Sequence, residues 1–242
     1  MTGTPTVAVF RPDDERLQDA VALLDELGVT PIADPMLAIE PTGAAPRRDG
    51  DYTVLTSKTG VERAVAAAWE PAGTELVAIG PTTADAARSA GFEVGLVPEE
   101  YTSDGLVQAL AGRVDGARVE VARSDHGSDR LLEGINEAGA YVHETVLYEL
   151  AIPDGAGESV RAAAEGTLDA ALFSSSLTVE HFLAVAADLG LEAAAREGLA
   201  DAVVGAIGPP TAETARAAGI EVDVVPDAAD FEALSRAVVA AL

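Results

Sequence analysis

The 242-residue chain contains no cysteine. Disulfides, thiolate nucleophiles and Cys-ligated zinc or iron–sulfur centres are thereby excluded. Lysine is nearly absent, Lys58 being the only one. Aromatic residues make up 4% of the chain. No stretch approaches the roughly 18 uncharged apolar residues that a membrane-spanning helix needs. Neither a G-x-G-x-x-G nor a Walker phosphate loop occurs. Together with the scarcity of aromatics, this counts against a flavin- or nucleotide-binding enzyme. The opening Met1-Thr-Gly-Thr-Pro-Thr6 has no basic region and no apolar core, so no signal peptide is visible. A cytoplasmic chain without membrane contact is the expectation.

Basic charge is also scarce. Forty-one acids face 15 bases, giving a net charge of −26. A nucleic-acid partner is excluded, because phosphate binding requires basic surface. The acids are scattered over candidate helix faces and do not form runs. That pattern reads as a solvated coat suited to molar salt, where repulsion is screened within a few ångströms. The competing reading is a surface for cations or a basic partner.

What the chain does have is a repeat. Ala78-Ile-Gly-Pro-Thr-Thr-Ala-Asp-Ala-Ala-Arg-Ser-Ala-Gly-Phe-Glu-Val-Gly-Leu-Val-Pro98 recurs from Ala206 to Pro226, with 14 of 21 positions identical. Each copy reads as an apolar strand ending in Gly-Pro, then an Ala-rich helix stopped by Gly91 or Gly219. Proline at the first helical position needs no N–H, and glycine suits the helix stop. A second strand is expected over Phe92–Val97 and Ile220–Val225. Leu55-Thr56-Ser57 and Phe173-Ser174-Ser175 form a second matched pair, with Val61-Glu62 matching Val179-Glu180. Repeat elements in the same order imply two half-molecules of one α/β design. In such folds ligands bind at the carboxyl ends of the strands.

The remaining pattern sets the domain boundaries. Val7–Phe10 reads as a buried strand. Leu17, Val21, Leu24 and Leu27 give a helical stripe stopped by Gly28. The second half lacks its own first strand, and this N-terminal unit supplies one. The expected first domain is therefore discontinuous, residues 1–36 plus 152–242, with 37–151 inserted. Two extended linker strands, about 36–41 and 141–152, join them. Tyr141 to Ile152 alternates, Val142, Thr145 and Leu147 against His143, Val146 and Tyr148. It is too long for one ordinary strand and reads as the crossover. The predicted fold is two similar Rossmann-like or flavodoxin-like parallel-sheet domains.

These residues resemble the uroporphyrinogen-III synthase family over essentially the whole chain. Thr56-Ser57 with Val61 is similar to its first strand end. Ile79-Gly80-Pro81-Thr82-Thr83-Ala84, Gly91, Pro98 and Tyr101-Thr102-Ser103-Asp104-Gly105-Leu106 resemble its middle signature. Gly139-Ala140, Val142 and Tyr148 resemble the crossover. Phe173-Ser174-Ser175, Val179, Phe182, Ile207-Gly208-Pro209 and Thr211-Ala212 resemble its C-terminal signatures. Three departures stand out: Pro210 where the first copy has Thr82, Ser176 where the family often has proline, and the missing lysines.

The resemblance implies cyclisation of hydroxymethylbilane to uroporphyrinogen III, with loss of water and inversion of the terminal pyrrole. It implies no metal or organic cofactor. A monomer is expected, in possible transient contact with the enzyme that supplies the bilane. It makes Tyr148 the candidate acid, since a phenol can donate to a departing hydroxyl without being ionised. Candidate substrate-binding groups are Thr56, Ser57, Lys58, Ser124, Ser174 and Ser175 at strand ends. Thr83 and Thr211, at the helix starts, join them, with helix capping as the plain alternative. Arg11 and Arg123 follow strand ends and could pair with carboxylates; salt bridges with Asp13, Asp14 or Asp125 are the plain alternative. His126, His143 and His181 lack metal-ligand spacing. A non-catalytic two-lobed binding or regulatory module of the same fold is the competing function.

Overall fold

The computed structural model describes residues 3–242. In chain order its elements are β1 (Thr6–Phe10), α1 (Glu15–Glu26), β2 (Thr30–Ala33), β3 (Ala38–Pro41), β4 (Tyr52–Leu55), α2 (Lys58–Ala66), β5 (Glu75–Ala78), α3 (Pro81–Ser89), β6 (Val94–Leu96) and α4 (Ser103–Leu110). Then follow β7 (Arg118–Ser124), α5 (Asp129–Glu137), β8 (Tyr141–Ala151), α6 (Glu158–Ala164), β9 (Ala170–Phe173), α7 (Ser176–Asp188), α8 (Glu192–Asp201), β10 (Val203–Ala206), α9 (Pro209–Ala217) and α10 (Phe231–Val239). The chain divides into two units. One holds the described residues up to Ala38 together with Ala151–Leu242, and the other is Ile39–Leu150.

In the discontinuous unit the strand order is β10-β9-β1-β2, and all three pairings are parallel. β1 leads outward to β2 on one side, and β9 leads to β10 on the other. The order therefore reverses between β1 and β9, as at the switch point of a flavodoxin-like sheet. Phe10, Phe173 and Phe182 form one aromatic cluster on one face of this sheet, with ring centroids 4.8–5.8 Å apart. Leu17, Leu24 and Phe231 pack on the other face. Such two-sided burial is why its strands read as unbroken apolar runs.

The inserted unit has the order β3-β8-β7-β4-β5-β6. β7–β8, β4–β7, β4–β5 and β5–β6 are parallel. Here the reversal falls between β4 and β7. Val54, Val119 and Val121 pack under α4 and α5, while Leu55, Ala122 and Leu147 pack against α2 and α3.

Four expectations need correction. First, the stretch from Tyr141 to Ile152, expected to be too long for one ordinary strand, is a single strand of 11 residues up to Ala151, paired with β3 in the inserted unit's sheet. Second, Ile220–Val225 is no strand. It makes one isolated bridge, Gly205 to Val224; Asp223, where the first copy has Gly95, accepts the Val204 N–H with its carboxylate at 2.8 Å in place of a ladder bond. Third, α8 was not read from the sequence. Its ten residues equal the difference between the two repeat offsets, 128 and 118, so it is an insertion between the repeated elements. It packs on α6, where a side chain at Gly198 would strike the Ala163 carbonyl. Fourth, β8 does not alternate cleanly, for a reason that bears on the site.

The repeat itself has one backbone solution. Gly80 (φ −165°, ψ 177°) and Gly208 (φ −170°, ψ 174°) are the N-caps of α3 and α9, with proline following in both. Neither helix has a side-chain cap, so Thr83 and Thr211 do not serve as caps.

Candidate active site

At the reversal point of the inserted unit, the carboxyl ends of β4 and β7 part and leave a cavity of about 230 Å³. Thr56, Ser57, Arg123, Ser124 and Tyr148 line it, joined by Ser103, His126, Gly127 and Ser128. The topology explains the opening. Adjacent strands whose following helices run to opposite faces leave nothing to cover their ends.

Tyr148 reaches this cavity through a bulge. Arg123 is opposite Val146, but Ser124 is opposite Tyr148, so the register skips Leu147. Strict alternation would put Tyr148 on the side of Val146, toward α4 and α5. The extra residue turns it to the side of Leu147, against α2. Bulges re-aim side chains in this way next to active sites. Both Leu147 and Tyr148 are consequently buried. The phenol oxygen lies 3.0 Å from Ser57 Oγ.

Ser57 is the N-cap of α2. Its Oγ accepts the Gly60 N–H at 2.9 Å. With that bond made, the Ser57 hydroxyl can donate to the phenol oxygen and leave the phenol proton free to point at a ligand. Ser128 and Thr102 are the N-caps of α5 and α4. Ser57, Ser103 and Ser128, residues at three helix starts, thus line one cavity. Helix starts bring backbone N–H groups and a positive dipole end that favour anions.

The other wall is the loop after β7. Asp125 accepts the Leu150 N–H at 3.0 Å and is 3.0 Å from His126 Nδ1. Burial pushes the Asp125 carboxyl up, but the bonds from His126 and Leu150 outweigh it and hold it below the usual carboxylate range. Arg123 lies beneath, its side chain 3% exposed, bonded to Glu144 and to the Ser128 carbonyl. It does not pair with Asp125, as the plain alternative had it. Nor does it extend into the cavity as a free cation.

Lys58 falls outside this group. It is exposed, 3.6 Å from Glu62, and lines a groove between α2 and α3. Thr83 is buried in α3 and does not line the cavity. His126, Ser103 and Ser128 were not among the residues singled out as substrate-binding. Their signal lies in Thr102-Ser103-Asp104-Gly105, the polar start of α4, and in Ser124-Asp-His-Gly-Ser128, the polar run at the end of β7.

The discontinuous unit repeats the arrangement at its own reversal point. Ser174 donates from Oγ to the Phe10 carbonyl at 2.7 Å, tying β9 to β1. Ser175 caps α7 in a reciprocal capping box with Thr178. Thr211 is buried in the first turn of α9. Arg11 lies with its guanidinium carbon 4.6 Å above the Phe231 ring. The plain alternative, a salt bridge with Asp14, is not made: Asp14 is bonded to Arg16. Burial lowers the Arg11 pKa, though a guanidinium remains charged. Among the described residues no group of three or more His, Cys, Asp or Glu side chains could hold a metal ion. Among the same residues no helix is long and apolar enough to cross a membrane.

Residues 18–236 match the family model described as uroporphyrinogen-III synthase HemD. The chain belongs to the uroporphyrinogen-III synthase family. It is 33% identical over 221 residues to a protein of Methanothermobacter thermautotrophicus provisionally named uroporphyrinogen-III synthase, covering 85% of this chain and 86% of that one. It is 28% identical over 178 residues to uroporphyrinogen-III synthase of Synechococcus elongatus, covering 69% and 66%. The fold is similar to that of a mutant uroporphyrinogen III synthase from Thermus thermophilus, with a TM-score of 0.66, 21% identity and 96% of each chain covered. The Helicobacter pylori enzyme gives 0.66 at 13% identity, covering 99% of this chain and 100% of that one.

Proposed function

We propose that this chain is itself a cyclising lyase, closing hydroxymethylbilane to uroporphyrinogen III with loss of water and inversion of the terminal ring. The observation that carries the reading is the Ser57–Tyr148 hydroxyl pair at 3.0 Å, set in a cavity at the strand-order reversal. Loss of hydroxide from a pyrrole-stabilised carbon needs modest acid help. Tyr148 supplies it: as the carbon–oxygen bond breaks, the phenol proton goes to the departing oxygen, which leaves as water. Solvent then restores the phenol.

The harder task is to hold a flexible polyanion in one folded shape, which is positioning catalysis. The cavity is smaller than the roughly 300–1,000 Å³ of an ordinary ligand pocket. It suits one ring of a long ligand and not the whole. Helix starts supply donors to carboxylates without lysine, which suits a protein of net charge −26. Arg11, which makes no ion pair among the described residues, is the carboxylate-binding candidate of the discontinuous unit. We infer that the two units are the two domains of the enzyme. It works as a cytoplasmic monomer in transient contact with the source of its substrate, and this chemistry calls for no cofactor.

The test is to supply enzymatically made hydroxymethylbilane in molar KCl and resolve the uroporphyrinogen isomers chromatographically. Type III product well above the spontaneous type I background is expected. Type I product alone, from demonstrably folded protein, would remove the enzyme reading.

A further inference from the structure

Arg123 is a buried cation of the inserted unit, its side chain 3% exposed. Its Nε donates to Glu144 Oε1 at 2.6 Å and its Nη1 donates to the Ser128 carbonyl at 2.6 Å. Its Nη2 lies 3.7 Å from Asp129 Oδ1. Gly127 rests directly on the guanidinium: a Cβ at that position would come within 2.5 Å of Nε and 2.6 Å of Cζ. One planar cation therefore joins three things: the end of β7, the stretch of β8 leading to Tyr148, and the loop 125–128 that walls the cavity.

We propose that Arg123, together with Glu144, is a positioning residue for the cyclisation. It fixes the loop 125–128 against β8, so that the Ser57–Tyr148 pair faces a cavity of one shape. This rests on the cyclase reading above. A guanidinium suits the task because its rigid fork sets orientation as well as distance, which an ammonium cannot. Simple stabilisation is a poor account of the pair. Arg123 is buried while the Glu144 side chain is 33% exposed, so desolvation of the guanidinium offsets much of what the pair contributes.

The test uses three single variants of the full chain and one double variant in molar KCl; the single ones are Arg123→Lys, Glu144→Gln and Gly127→Ala. The readouts are kcat, KM, the fraction of type III product, melting temperature and amide exchange of the loop 125–128. A misplacement of about an ångström costs on the order of 100-fold in rate. A fall in kcat of roughly 10- to 100-fold is therefore expected for Arg123→Lys, with little change in KM, less type III product and faster loop exchange. Gly127→Ala, which leaves every charge in place, is expected to lose kcat similarly while its melting temperature holds. The Arg123→Lys/Gly127→Ala double variant is expected to lose less than the sum, since both act on one contact.

Wild-type kcat in folded Arg123→Lys or Gly127→Ala overturns the inference. So does a raised KM at unchanged kcat, which would make Arg123 a direct substrate ligand. Unchanged loop exchange in Arg123→Lys overturns it even where no turnover is seen. Absence of type III product from the wild-type chain overturns the cyclase reading alone.

Discussion

The phenol oxygen of Tyr148, at a bulge in β8, lies 3.0 Å from the Oγ of Ser57, the residue that caps α2. The two are 91 residues apart in sequence. The cap orients the serine, and the serine orients the phenol. Removing the phenol hydroxyl in Tyr148→Phe keeps the ring and its packing. Turnover is expected to slow by about 10- to 100-fold, within the reach of one general acid, with the chain still folded. Steady-state kinetics with melting curves will check this, and unchanged turnover would move the acid role elsewhere.

Ser57→Ala removes the same hydrogen bond from the other side and also the cap of α2. Loss of a serine cap costs about 0.5–2 kcal/mol, so a lowered melting temperature is expected along with slower turnover. In the Tyr148→Phe background the rate effect of Ser57→Ala should nearly vanish, since interacting residues are not additive. Additive rate losses in that double-mutant cycle would show that the two hydroxyls act independently.

Arg11→Leu probes the discontinuous unit. The guanidinium sits over Phe231 with no carboxylate within ion-pair distance among the described residues. If it meets a substrate carboxylate in ground and transition states alike, KM rises several-fold while kcat holds. The packing over Phe231 survives in part with leucine, so the melting temperature should change little. Unchanged KM would leave Arg11 with only its contact to the ring.

Acid should loosen the loop after β7. Asp125 is held below its ordinary pKa by the bonds from His126 and Leu150, against the opposing pull of burial. A depressed carboxyl contributes stability that is present above the unfolded value, about 3.9 for aspartate. That contribution is lost as pH falls through the lower, folded value. Protection of the Leu150 amide should therefore decline as pH falls below about 4. In Asp125→Asn the decline assigned to this group should disappear. Hydrogen exchange across that range decides the matter.

Salt should matter more than any single residue. The ion pairs are mostly exposed and so contribute little. They cannot offset repulsion within a chain of net charge −26. The screening length is about 30 Å at 0.01 M salt and about 3 Å at 1 M. Against a stability of roughly 5–15 kcal/mol that change is decisive. On dilution from molar KCl to tens of millimolar, activity should be lost before helical circular dichroism. Full activity and an unchanged melting temperature at about 50 mM salt would require another account of the acids.

Much of this was written in the chain locally. The Gly80-Pro81 and Gly208-Pro209 turns, the strands before them and the serine cap at residue 57 follow from short-range rules: proline at a helix start, hydroxyls at caps, apolar runs in two-sided sheets. The pairing of repeats at two offsets, and the family likeness, rest on the same local words. What the sequence alone did not decide is where those words meet. The bulge that turns Tyr148 toward Ser57 depends on how β8 registers against β7, which no alternation pattern carries. The burial of Arg123 depends on Glu144 approaching from a neighbouring strand. Local preference is set within a few residues of backbone, whereas register and charge pairing are set by strands that meet only once the sheet has formed.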